Sequence, residues 1–283
     1  MSGKNRKLAL IFDFDETLVA DSVTRLLREN QIDADEFWDQ KHASLIEKGW
    51  DPTAAYMMLL VNEMKKHGKL KELTPRKLRQ FGQERLQLFE GVQGMFAELR
   101  ELVGRDVTIQ FFVISGGLQE VIRGTPIAKK LTDYWGCTLD DGKAVGVPYP
   151  KNVITFTEKT KYLFQINKGF VGAQYKNKPY EVNEFVEEQE RAIPLENMIY
   201  IGDGLTDVPC FSILKAEGCP IVVYHQREDR RVGLQRAVKI ARHRPVHGPY
   251  SADYTEGSDL RNCLDEVCRQ MANGTWRLRK VAQ

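Results

Sequence analysis

The chain has 283 residues, of which 42% are hydrophobic and 28% charged, with a formal net charge of +2. That balance fits a folded, enzyme-sized protein and excludes a chain kept disordered by charge. So small a surplus does not argue for a nucleic-acid partner, which needs a concentrated basic face, and none is expected.

In chain order, the polar start MSGKNRK runs directly into Leu8 to Phe12, without the apolar stretch and cleavage site of a secretory signal. Leu8 to Phe12 is too short for a helix and empties into acids, so it reads as a buried parallel strand ending in a functional loop. From Asp21 to about Glu90 the pattern is helical, with segments Asp35 to Lys48, Pro52 to Lys66 and Pro75 to Leu88. Pro52 and Pro75 stand at first-turn positions, where a missing N–H costs nothing. Gly91 marks the return to strand-and-helix alternation. Helices are predicted over Val92 to Val103 and Gly117 to Lys130, flanking a second strand, Val107 to Ile114. Asp140 to Pro150 is rich in Gly and Pro and reads as a turn-rich excursion of hairpin type. Met198 to Ile201 and Ile221 to Tyr224 complete the apolar runs.

This alternation predicts an α/β fold with a doubly wound, mainly parallel sheet, whose ligands sit beyond the carboxyl ends of the strands. The expected division is an α/β core of residues 1–20 and 89–283 with a smaller helical domain, 21–88. No run approaches the roughly 20 apolar residues of a membrane span. The five cysteines are scattered and never spaced C-x-x-C, against a disulfide framework or structural zinc. A cytoplasmic protein without a membrane partner is expected; oligomeric state is not legible.

Chemistry concentrates at strand ends. Asp13, Asp15 and Thr17 form D-x-D-x-T after the first strand; crowded carboxylates repel, so the pair suggests a cation or acid/base work, or else solvated loop acids. Ser115-Gly116-Gly117 ends the second strand, where a hydroxyl and closely approaching backbone N–H groups can cradle a phosphate, although such turns are common. In YIGDGLTD, Asp203 and Asp207 follow a third strand. Asp203 could join Asp13 and the Asp15 backbone carbonyl around magnesium, with Asp207 ligating, orienting water or capping a helix. A lysine at the start of TEKTKYLFQINKG would neutralise these acids. Lys159 and Lys161 both qualify, and Lys159 is preferred because Leu163 and Ile166 then share its helix face.

In this order, DFDET, the strand ending in Ser115, the lysine before a helix, and GDGLTD resemble the four motifs of the haloacid dehalogenase superfamily. The motif-bearing stretch runs from about Leu8 to Tyr224, and the helical insertion is similar to a C1-type cap. ISGGLQEVIRGTPIA followed by DDGKAVG is further similar to the phosphoserine-phosphatase-like branch. The resemblance implies a Mg²⁺-dependent phosphatase acting on a small-molecule phosphate ester. Asp13 would be the nucleophile and Asp15 the acid/base. Ser115, Gly116 and Lys159 would hold the phosphoryl group, and Asp13, Asp15 and Asp203 the metal, with Thr17 and Asp207 in support. A phosphotransferase or mutase on the same site is the alternative, followed by a degenerate binding protein.

The chain departs from the branch where the substrate's amino acid is read. Ser22 stands where phosphoserine phosphatases carry a glutamate, Asp21 beside it should point differently, and DPTAAYMMLLVNEM offers no cap arginine. Phosphoserine is therefore disfavoured, and Tyr56, Met57, Met58 and Leu60 suggest a less polar leaving group or simply packing. Arg227, Arg230, Arg231, Arg236, Lys239, Arg242 and Arg244 read as a solvated surface loop, because acids interrupt them and no aromatic residue interleaves. His243 and His247, with Pro245 between them, read as loop residues.

Overall fold

Strand β1 (Arg6–Phe12) has no accessible surface from Leu8 to Phe12, as a strand covered on both faces requires. The structure is a computed structural model that describes residues 6–65, 67–140, 142, 148–176, 178–225 and 230–276. β1 pairs in parallel with β2 (Val107–Leu118) on one side and β5 (Met198–Gly202) on the other. β3 (Asp133–Asp140), β6 (Cys219–Tyr224) and β7 (His247–Ser251) extend the parallel sheet, and β4 (Tyr149–Asn152) adds an antiparallel edge. The seven-stranded order is β4-β3-β2-β1-β5-β6-β7. Chain order therefore runs outward from β1 in both directions, the doubly wound arrangement the strand pattern predicted.

Strand alternation covers both faces. Phe111 meets Phe96 of α5 (Val92–Val103) at 4.8 Å, while its neighbour Phe112 faces the other way toward Trp135, which stacks at 5.0 Å on Tyr162 of α7 (Glu158–Lys168). α10 (Asp259–Asn273) packs on α5 and β1, and α8 (Val208–Leu214) packs on α7, β5 and β6.

Between β1 and α5 lie α1 (Ser22–Glu29), a π-helical stretch Glu36–His42 that continues into α2 (Ala43–Glu47), α3 (Pro52–Met64) and α4 (Pro75–Glu84). Both prolines start their helices as expected. The Asp51 carboxylate accepts from the N–H groups of Thr53 and Ala54 at 2.9 and 3.0 Å, and Thr74 accepts from Lys77 at 3.2 Å. α4 lies on α6 (Gln119–Gly124) at glycine contact distance: a Cβ on Gly82 would fall 2.1 Å from the Val121 carbonyl oxygen, and one on Gly124 2.0 Å from that of Arg79.

The helix expected over Gly117 to Lys130 is divided. β2 continues through Leu118, and extended Thr125 before Pro126 ends α6 and starts a 3₁₀ turn, Pro126–Lys130. The excursion from Asp140 is a β3–β4 hairpin, with residues 143–147 outside the described part. β3 and β7 had no strand signature, because β3 has Gly136 at its centre and β7 reads HGPYS, a Gly-Pro sequence tolerated at a sheet edge.

The basic run is not a loop. Arg230–Arg242 is a helix, α9, and Ala237 and Ile240 are fully buried on its inner side, so the exposed Arg236, Lys239 and Arg242 stand on the wet face of an amphipathic element. Arg227 lies outside the described residues. His243 sits in the turn after α9, while His247 opens β7 rather than lying in a loop.

Candidate active site

The strand register decides which loops meet. Phe12 pairs with both Val113 and Ile201, and the Asp13 N–H donates to the Ile201 carbonyl at 2.8 Å. Asp13 therefore leaves the sheet between Ser115 on β2 and Asp203 after β5, at the point where chain order reverses. Asp13, Asp15, Ser115, Gly116, Gly117 and Asp203 all line one cavity of about 280 Å³.

Lys159, at the start of α7, is 1% exposed and bridges Asp13 Oδ2 at 2.9 Å and Asp207 Oδ1 at 2.7 Å. Lys161 instead pairs with Glu158 in its own helix. Asp207 is fully buried and does not cap α8; it also accepts from the Tyr200 hydroxyl at 2.9 Å and the Gly204 N–H at 3.1 Å. These partners make Asp207 the anchor for the lysine that faces Asp13. Ser115 Oγ accepts from the Gly117 N–H at 2.9 Å, which shapes the carboxyl end of β2 around the cavity. A Cβ on Gly117 would lie 2.4 Å from Asp15 Oδ2, so glycine lets that carboxyl sit against the loop. Thr17 is buried, and its carbonyl accepts from the Tyr254 hydroxyl at 2.9 Å, tying the first loop to the segment before α10.

Asp15 accepts from the Ser22 N–H at 2.7 Å. Asp21 borders the cavity, but its carboxylate is turned onto Thr24 at the α1 N-terminus, with contacts of 2.9 and 2.8 Å.

Electrostatics follow from packing acids in a dry place. Burial raises Asp13 to about 6 despite the opposing Lys159 ammonium. Burial, reinforced by the negative charge of Asp21, raises Asp15 to about 8. Burial also holds Asp203 well above the usual carboxylate range, although the Arg236 guanidinium opposes it. For Lys159 burial alone would lower the ammonium pKa, but Asp13 and Asp207 outweigh it, so its pKa is raised.

Asp13, Asp203 and Asp207 offer carboxylate oxygens within 4.8 Å of one another. The donors are hard oxygens, and among the described residues buried Asp13, Asp203 and Asp207 face one buried cation, Lys159, and the half-exposed Arg236. A small divalent cation such as Mg²⁺ fits that set. Asp13 and Asp203 are its best-placed side-chain ligands, because Asp207 already serves Lys159, Tyr200 and Gly204.

Sequence reasoning missed several residues at the cavity. Arg236 reaches from α9 to ion-pair with Asp203, although a lone arginine in a charged run carries no signal for this. Trp38, His42 and Phe156 also line the wall. The i,i+4 spacing of Trp38 and His42 could have placed them on one helix face, but not at the site. Of the suspected apolar stripe only Tyr56 reaches the cavity; Met57 and Leu60 are buried in the core.

Residues 10–212 match the family described as haloacid dehalogenase-like hydrolase, and the chain belongs to that family. It is 29% identical to an uncharacterized protein of Borreliella burgdorferi, an alignment covering 95% of this chain and 99% of that one. Its fold is similar to that of a phospho-aspartyl intermediate analogue of phosphoserine phosphatase, with a TM-score of 0.53 and 19% identity over 92% of this chain and 99% of that one. A probable phosphoserine phosphatase from Vibrio cholerae, in unliganded form, is similar at a TM-score of 0.55 and 12% identity, covering 97% and 68%. The chain is thus a hydrolase-family member with a phosphoserine-phosphatase-like fold. Among the described residues no helix is long and apolar enough to cross a membrane.

Proposed function

We propose that the chain is a Mg²⁺-dependent phosphatase that hydrolyses a small-molecule phosphate monoester through an aspartyl-phosphate on Asp13, with residues 21–88 as its cap. The observation that carries this reading is the buried Asp207–Lys159–Asp13 chain of contacts, at 2.7 and 2.9 Å, opening onto the same cavity as Ser115 and Gly116. It would set a carboxylate nucleophile beside a fixed ammonium and the Ser115–Gly116 backbone.

In the first step an Asp13 carboxylate oxygen attacks phosphorus while the bond to the leaving oxygen breaks. Asp15, which burial keeps protonated near neutral pH, gives its proton to that oxygen. Water then attacks phosphorus, loses a proton to Asp15, and displaces the Asp13 carboxylate. Lys159, the Ser115 hydroxyl and the backbone N–H of Gly116 meet the oxygens that gain charge, without needing to reorganise. Bound Mg²⁺ would neutralise phosphoryl charge from Asp13 and Asp203. The Tyr56 hydroxyl donates to the Gly116 carbonyl, so α3 bears directly on the phosphate loop and can exclude bulk water when the two meet.

The test is phosphate release from a panel of monoesters with Mg²⁺ or EDTA, with Asp13→Asn as control. A phosphoenzyme cleaved by hydroxylamine is expected in the parent and absent in the variant. A stable parent that releases no phosphate from any ester, or a variant as active as the parent, would overturn the reading.

A further inference from the structure

Resting on the phosphatase reading, we infer that the leaving group carries a planar aromatic ring a short linker away from the phosphate, recognised by stacking against Trp38, His42 and Tyr56. All three rings border the cavity that contains Asp13 and Ser115. Trp38 lies edge-on to His42 at 5.1 Å and tilted to Tyr56 at 6.0 Å, so the rings form one wall. The decisive feature is where their polar atoms go. Trp38 Nε1 donates to Thr24 Oγ1 at 2.8 Å, and the Tyr56 hydroxyl donates to the Gly116 carbonyl. His42 Nε2 lies 3.0 Å from the Pro52 carbonyl, which only accepts, so Nε2 carries the proton.

With those atoms engaged, this wall offers a ligand ring surface and a single ring acceptor, His42 Nδ1. A polyhydroxylated sugar or an amino acid would lose water against it and gain few hydrogen bonds, whereas a planar ring gains stacking area. Trp38 and His42 sit on the π-helical stretch Glu36–His42 and stay partly accessible, unlike rings committed only to packing. Phe156 closes the same cavity from the α7 side, and Arg236 is held by Asp203. At about 280 Å³ the cavity holds a phosphate and one small ring system and is at the small end of ligand sites.

Benzyl and ethyl phosphate both expel alkoxides, so comparing them separates ring recognition from leaving-group chemistry. Expected is a benzyl-over-ethyl ratio in kcat/KM of roughly 10–100, the effect of stacking one ring. Trp38→Phe should retain the preference and Trp38→Leu should bring the ratio below about 3, chiefly through KM for the benzyl ester; melting curves confirm that each variant is folded. Cyclohexylmethyl phosphate, apolar but not planar, should fall between the two esters. Uridine and adenosine 5′-monophosphates tell a nucleobase from a smaller aryl group, and preference for either class over ethyl phosphate supports the inference.

Calorimetric binding of the benzyl and ethyl esters to Asp13→Asn with Mg²⁺ reads ring recognition without turnover. If esters are hydrolysed or bound with no ring preference, or if Trp38→Leu leaves the preference intact, the inference is overturned while the phosphatase reading stands. If no ester is hydrolysed, the phosphatase reading fails, and equal binding of the two esters then overturns this one as well.

Discussion

Replacing Lys159 with Met removes a fully buried cation of the site while keeping its length and apolar stem. Its ammonium lies 2.9 Å from Asp13 and 2.7 Å from Asp207, with 1% of the lysine and none of Asp207 exposed. At an effective dielectric of about 20 each contact is worth roughly 6 kcal/mol of gross attraction, most of it offset by the desolvation of three ions. Removing one partner exposes that desolvation cost, and breaking such a buried pair destabilises by about 3–5 kcal/mol. For a chain of this size, at about 2–4 °C per kcal/mol, melting should drop by roughly 6–20 °C. The sign with pH is determined. Burial already raises Asp13 to about 6 against the pull of the Lys159 ammonium, so losing that ammonium moves it further up. The contribution of a carboxyl so raised is intact at low pH and lost as pH rises through the raised value, so the variant should lag the parent more at pH 8 than at pH 5. Adding Asp207→Asn should recover part of the melting temperature but not phosphate release. The assay is thermal melting with EDTA, with and without the second substitution, alongside phosphate release. Melting within 2 °C of the parent at pH 8, with activity retained, would refute the assignment of Lys159 as the neutralising cation.

Asp13→Asn should lower phosphate release by several orders of magnitude, as loss of a nucleophile does, yet shift melting only slightly, since Lys159 keeps Asp207; a large melting loss would mean Asp13 is chiefly structural. In metal-free parent protein Asp13 and Asp15 are raised to about 6 and about 8, above ordinary carboxyls near 4. Their stabilising contribution is therefore present below about pH 4 and lost as pH rises through 6 and 8. Melting with EDTA should decline from pH 5.5 to 8.5, with Asp15→Asn flattening the upper part; a rise with pH in the parent would contradict the shifts. Gly82→Ala places a Cβ 2.1 Å from the Val121 carbonyl oxygen, and overpacking of about 1–3 kcal/mol should outweigh a helix-propensity gain of up to about 1. Unchanged or higher melting would show that α4 and α6 can separate freely.

Local chemistry and period were enough for much of this protein. β1, with five consecutive residues bare of solvent contact, and the Pro-started α3 and α4 were legible because burial and missing N–H groups leave a signature within one element. The motif acids Asp13, Asp15 and Asp203 were legible for a related reason: each is an acid just past a strand end, where a backbone leaving the sheet exposes side chains to a ligand. What depends on two distant segments was not legible. Lys159 was preferred over Lys161 from the helix face it shares with Leu163 and Ile166, but its reach to both Asp13 and Asp207 rests on how α7 is rotated against β1 and β5, and the placement of Asp207 rests on Tyr200 beneath it. Arg236 looked like one charge in a wet run, and only the packing of Ala237 and Ile240 turns it toward Asp203. The aromatic wall likewise needs α3 folded back over β2, bringing Tyr56 and Gly116 into contact across 60 residues of chain. Sequence alone determined the acid-rich neighbourhood of Asp13 and the chemistry open to it, because those depend on adjacent residues. The aromatic wall of the cavity was decided by tertiary packing, because it exists only where separate helices converge.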